Sequence, residues 1–134
     1  MPDTGSRRAA RERALGLLYE AEVKDQTPAE IVAALPVVPD AYAAEVAIGV
    51  GEHIEEIDAL LQRLAKNWDL DRMPALDRAV LRMATFELSH RPDVPRKVIL
   101  NEAVELAKTF STDDSGRFVN GMLSAVADEV RPEG

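Results

Sequence analysis

Cysteine is absent from the 134 residues. That excludes disulfides, thiolate metal ligands and cysteine nucleophiles, and it suits a reducing, cytoplasmic setting. Aromatic residues make up only 4% of the chain, so the core must be built mostly from Leu, Val, Ile and Ala. No apolar run approaches the ~20 residues needed to span a bilayer. Arg7-Arg8 lacks the apolar stretch of a twin-arginine export signal, because LGLL at 15–18 is short and flanked by charge. An acidic balance, net −8, argues against a protein that coats nucleic acid by bulk charge.

Against that background the N-terminus stands out. RRAARER at 7–13 sets Arg7, Arg8, Arg11 and Arg13 against Glu12, so the two signs of charge are segregated. Hydrophobic residues at 46% and this length fit one soluble globular domain with a real core. The pattern is helical throughout. A first helix over 7–24 buries Ala10, Ala14, Leu17, Leu18 and Ala21. At ~100° per residue, Arg7, Arg8 and Arg11 share an arc beside that face, while Arg13 points elsewhere into solvent. Thr27-Pro28 caps a short helix to about Leu35, and PVVP at 36–39 breaks it. A long amphipathic helix follows from Ala43 to Leu64, with Gly49 and Gly51 bending it or admitting a neighbour.

A break over 67–74 precedes a helix at 74–89 with Leu76, Val80, Leu81, Ala84 and Leu88 inward. Pro95 opens the next helix, whose buried stripe is Ile99, Ala103, Leu106 and Phe110. The last helix buries Val119, Met122, Leu123, Val126 and Val130, and RPEG is a frayed tail. The expectation is an all-α single domain, 1–134, of about six or seven helices in two small bundle subdomains, about 6–67 and 70–132. Neither half is expected to be stable alone.

No catalytic arrangement has a specific spacing. GVGEH at 49–53 follows no strand and continues into no GxGxxG. His53 and Glu56 stand at i, i+3, but a bundle metal site needs such a pair repeated on a second helix, so they read as a solvated polar face. His90 suits a helix C-terminus. No metal and no cofactor is expected.

Two surfaces could bind. Arginines in the first turns of a helix oppose its macrodipole, and guanidinium matches phosphate geometry. A helix that simply solvates its charge competes with an RNA contact there. Three phosphate contacts would give a salt slope of roughly −2, at about −0.7 each, which is a modest term. The second surface is STDDSGRFVNGML. Ser111-x-x-Asp114 fits a capping box, so Asp113 and Asp114 are either structural or RNA-contacting. Gly121 is expected to admit another helix. Phe118, beside Arg117 at the edge of the buried stripe, either fills the core or stacks on an unpaired base.

The C-terminal run LDRAVLRMATFELSHRPDVPRKVILNEAVELAKTFSTDDSGRFVNGML and the opening SRRAARERALGLLYE together resemble the NusB family of bacterial transcription antitermination factors. The resemblance covers about 6–24 and 70–132; residues 26–67 match in helical pattern only. It implies an all-helical, non-enzymatic protein that binds the boxA element of ribosomal RNA leader transcripts as single-stranded RNA. It also implies joint action with NusE, a small-subunit ribosomal protein, within the RNA polymerase antitermination complex with other Nus factors. No membrane or small-molecule substrate is implied. Carried over by position, the RNA residues are Arg7, Arg8, Arg11 and Arg13, then Lys108, Asp114, Arg117 and Phe118. The partner residues are Asp77 with its helix, reaching Tyr19 and Phe86. Ala9 and Ala10 interrupt an arginine run that can be longer in the family, which bears on binding strength. Two other readings compete. One is a helical scaffold whose arginines pair with an acidic subunit. The other is the helical module found ahead of RNA cytosine methyltransferases, for whose catalytic domain 134 residues leave no room.

Overall fold

The computed structural model describes residues 4–66 and 68–132. The helix order is α1 (Thr4–Lys24), α2 (Pro28–Ala33), α3 (Ala41–Glu52), α4 (Ile54–Ala65), a one-turn 3-10 segment (Leu70–Arg72), α5 (Ala75–His90), α6 (Arg96–Phe110) and α7 (Asp113–Val130). There is no strand among the described residues.

Local chemistry sets the boundaries. Asp25, at φ 54°, ends α1 in a Schellman arrangement: Gln26 N–H donates to Ala21 O at 2.9 Å and Asp25 N–H to Glu22 O at 3.2 Å. Thr27 and Glu30 then form a reciprocal capping box with proline opening α2. Asp40 caps α3 by accepting from the N–H groups of Tyr42 and Ala43. The expected long helix over 43–64 is two helices broken at His53. Gly49 and Gly51 do not cause the break. A Cβ on Gly49 would lie 2.3 Å from the Phe86 ring, and one on Gly51 would lie 2.9 Å from Pro28 Cδ. Both are therefore positions of close approach.

Helix α5 is the axis of the molecule. It packs against α1, α3, α4, α6 and α7, and from Asp77 to Leu88 every residue except Arg82 is buried. Most of its buried polar side chains find partners inside the molecule, as burial requires; Thr85 Oγ1 and one Asp77 carboxylate oxygen have none. Arg78 donates to the carbonyls of Leu70 and Met73 and to Glu22, Arg82 donates to Asp58, and Glu87 accepts from Arg11 and Tyr42.

Four expectations are corrected at the C-terminal end. Phe110 is 43% exposed, because α6 ends there. Gly121 meets no neighbour within 4 Å, whereas a Cβ on Gly116 would come within 2.6 Å of Lys108 Cγ, so Gly116 is the close-approach glycine. The cap of α7 is Thr112, which accepts from Ser115 N–H. Arg131 is not frayed: it donates to the carbonyls of Glu87, Leu88, Arg91 and Val94, closing the C-terminal end of α5 with a cation. Residues 133 and 134 of the expected tail lie outside the described residues.

Candidate nucleic-acid interface

The first helix carries its arginines at three depths. Arg7 is half-buried, with its guanidinium 3.8 Å from the centroid of the Tyr42 ring. Arg8 is on the surface. Its Nε and Nη2 donate to the two Glu102 carboxylate oxygens at 2.9 and 2.6 Å. This two-point grip uses one edge of the guanidinium and leaves the other for an incoming phosphate. That hydrogen bond raises the Arg8 pKa and lowers that of Glu102, so both stay charged.

Arg11 is only 2% exposed, which corrects its expected place among the RNA contacts. Its Nε and Nη2 donate to Glu87 at 2.9 and 2.7 Å, and Tyr42 Oη donates to the same carboxylate at 2.5 Å. Burial opposes the charged form of Arg11, but the hydrogen bond and the charge of Glu87 outweigh it and raise the pKa. Burial pushes the Tyr42 phenol upward, and Glu87 adds to the shift. Arg11 therefore ties α1 to α5. Arg13 is exposed and has no ion pair among the described residues.

The second surface lies where α6 meets α7. The stem of Lys108 covers Gly116, and its ammonium stands 3.8 Å from Glu105. Asp114 and Arg117 are exposed and paired one turn apart on α7. Phe118 is half-buried, and its ring lies 5.7 Å from that of Trp68 at a tilt of 59°. Trp68 is 60% exposed. The sequence reading passed over it; the signal was the chain's one tryptophan placed in a polar break, away from any apolar stripe. Glu102, which grips Arg8, and Lys108 are both on α6, about 9 Å apart along its axis at ~1.5 Å per residue. Helix α6 thus connects the two cationic surfaces.

The expected partner residues divide in the same way. Tyr19 is 44% exposed and borders a cleft of about 290 Å³ that Glu22 and Asp25 also line. Asp77 and Phe86 are buried, which corrects their expected surface role. Asp77 accepts from Ser115 Oγ at 2.9 Å, joining the first turns of α5 and α7. Phe86 fills the space left by the missing side chain of Gly49.

The NusB family model matches residues 8–128. The chain belongs to the NusB family. It is 48% identical over 133 residues to the transcription antitermination protein NusB of Myxococcus xanthus (strain DK1622), covering 92% of this chain and 95% of that one. The solved NusB of T. maritima matches with a TM-score of 0.83 at 37% identity, over 95% of this chain and 94% of the other. A crystal structure of antitermination factors NusB and NusE in complex with dsRNA matches with a TM-score of 0.78 at 28% identity, over 92% and 96% of the two chains. Membership in the NusB family makes this chain a transcription antitermination factor and not an enzyme. Among the described residues, no helix is long and apolar enough to cross a membrane.

Proposed function

We propose that this chain binds boxA-type RNA of ribosomal RNA leader transcripts together with NusE, and so joins the RNA polymerase antitermination complex with other Nus factors. The supporting observation is the half-free guanidinium of Arg8, held outward by Glu102 on an otherwise acidic chain, in a family with a member crystallised with NusE and RNA. Arg7, Arg8 and Arg13 supply phosphate contacts. Lys108 and Arg117 continue the track, and Phe118 with Trp68 offers an aromatic surface on which an unpaired base stacks. Asp114 orients Arg117 through their ion pair. Arg11 holds the helix that presents the others.

The partner NusE meets the largely apolar cleft beside Tyr19, at whose rim Asp25 complements a basic ribosomal protein, Glu22 there being paired to Arg78 and Arg82. Fluorescence anisotropy of a labelled boxA RNA, titrated with this chain alone and with NusE, tests the proposal. Sequence-dependent binding that tightens with NusE is expected. No preference for boxA over a scrambled RNA, with or without NusE, overturns it.

A further inference from the structure

The chain has two histidines, and the fold stacks them on each other. His53 stands in the break between α3 and α4, and His90 is the last residue of α5. Their ring centroids are 4.1 Å apart with the planes at 26°. Glu56, one turn along α4, brings Oε1 to 2.5 Å from His53 Nδ1. Ligand atoms of His53, Glu56 and His90 all lie within 4.8 Å of one another. Sequence spacing supplies only the first two of these groups; the third arrives from a different helix.

The bland account of each residue leaves something over. A histidine at the end of α5 could serve the helix dipole, but Arg131 already caps those carbonyls. Glu56 pairs with no lysine or arginine among the described residues. The two clefts that meet at His53 are lined by Glu45, Glu52, Glu55 and Glu56; Arg91 neutralises Glu45, and the other three carboxylates have no lysine or arginine partner among the described residues. A cation is therefore drawn to the place. Phe86 stacks on His90 at 5.1 Å and gives the imidazoles an apolar floor.

We propose that His53, Glu56 and His90 form a site for a divalent transition metal, with zinc the best match. Two imidazoles and one carboxylate are a zinc ligand set that leaves a fourth position for water or a partner's side chain. Ligands about 2.0–2.1 Å from a tetrahedral ion stand about 3.4 Å apart, so metal binding opens the His53–Glu56 contact and unstacks the rings, the half-buried His53 and the exposed Glu56 and His90 turning about their own side-chain bonds. The bound metal ties the α3–α4 break to the end of α5.

The test is isothermal titration of the untagged full chain, freed of metal by chelation, with zinc. One zinc per chain is expected, and His53→Ala and His90→Ala each weaken it by about tenfold or more. Zinc should raise the melting temperature of the wild type, and at the same concentration raise that of His90→Ala clearly less. Circular dichroism in chelator checks that the variants fold. A second readout needs no variant: a nitrogen–proton spectrum of the wild-type imidazoles should show both rings shifting with zinc. No saturable binding at sub-millimolar zinc, wild-type binding by either histidine variant, or a shift in only one ring overturns the proposal.

Discussion

Arg8 and Arg11 are one turn apart on α1, and their carboxylate partners give them different work. Glu102 on α6 is buried but leaves Arg8 half in solvent, whereas Glu87 lies on the central helix and draws Arg11 inside. Removing one partner of a buried ion pair strands the other charge, so Arg11→Ala is expected to destabilise the fold by about 3–5 kcal/mol. Arg8→Ala, which opens a pair that is half solvent-exposed on the arginine side, should lower the urea midpoint clearly less and weaken RNA binding. Comparable midpoints for the two variants would remove the distinction. Trp68→Ala should cost RNA affinity about 1–3 kcal/mol, the worth of one base stacked on an aromatic ring, with stability intact. The helical wheel put Arg7, Arg8 and Arg11 on one arc at the edge of the buried face. Which of them goes inside depends on a glutamate in another helix, and no local pattern contains that information.

At the scale of elements, periodicity located the helices well and their surroundings poorly. The stripe over 43–64 is continuous in sequence, yet the chain breaks at His53, and each half keeps its own apolar face. On α5, Asp77, Arg78 and Glu87 are of charged types usually left in solvent. Instead each finds an internal partner, and the helix is surrounded. Phe86, a partner residue by resemblance alone, is buried because the cavity that receives it is made by a glycine on another helix. The glycines give a paired prediction. Gly49→Ala drives a methyl group into the Phe86 ring and should destabilise by about 1–3 kcal/mol. Gly121→Ala meets nothing within 4 Å and should stabilise by up to about 1 kcal/mol through helix propensity. Thermal melts of the two variants should move in opposite directions.

For the whole molecule, arginine–carboxylate pairs join distant segments and set the response to acid. Hydrogen bonds from Arg8, Arg91 and Arg63 hold the carboxyls of Glu102, Asp93 and Glu129 below their ordinary values, with Asp93 at about 2. In that range the unfolded chain binds more protons than the folded one, so stability drops as the pH is lowered. Their contribution is complete above the ordinary glutamate value of 4.5 and disappears as pH drops toward 2. Urea midpoints across that window should decline steadily, and a flat profile would count against these pairs.

Because α5 packs on α1, α3 and α4 as well as α6 and α7, a chain cut at the 67–70 link should leave neither half folded by circular dichroism. The family and the helical class were legible in long motifs such as ELSHRPDVP and NEAVELAK. The depth of each charged side chain was not, because it is decided by tertiary partners.

The central claim is a division of labour: arginines of α1 hold RNA, and the cleft beside Tyr19 holds NusE. Its most direct test is the salt dependence of RNA binding by an Arg7→Ala/Arg8→Ala/Arg13→Ala variant, with NusE affinity measured in parallel. The slope of log K against log salt should become shallower by roughly 2, about 0.7 per lost phosphate contact, while NusE binds as before. An unchanged slope, or equal loss of RNA and NusE binding, would contradict the account.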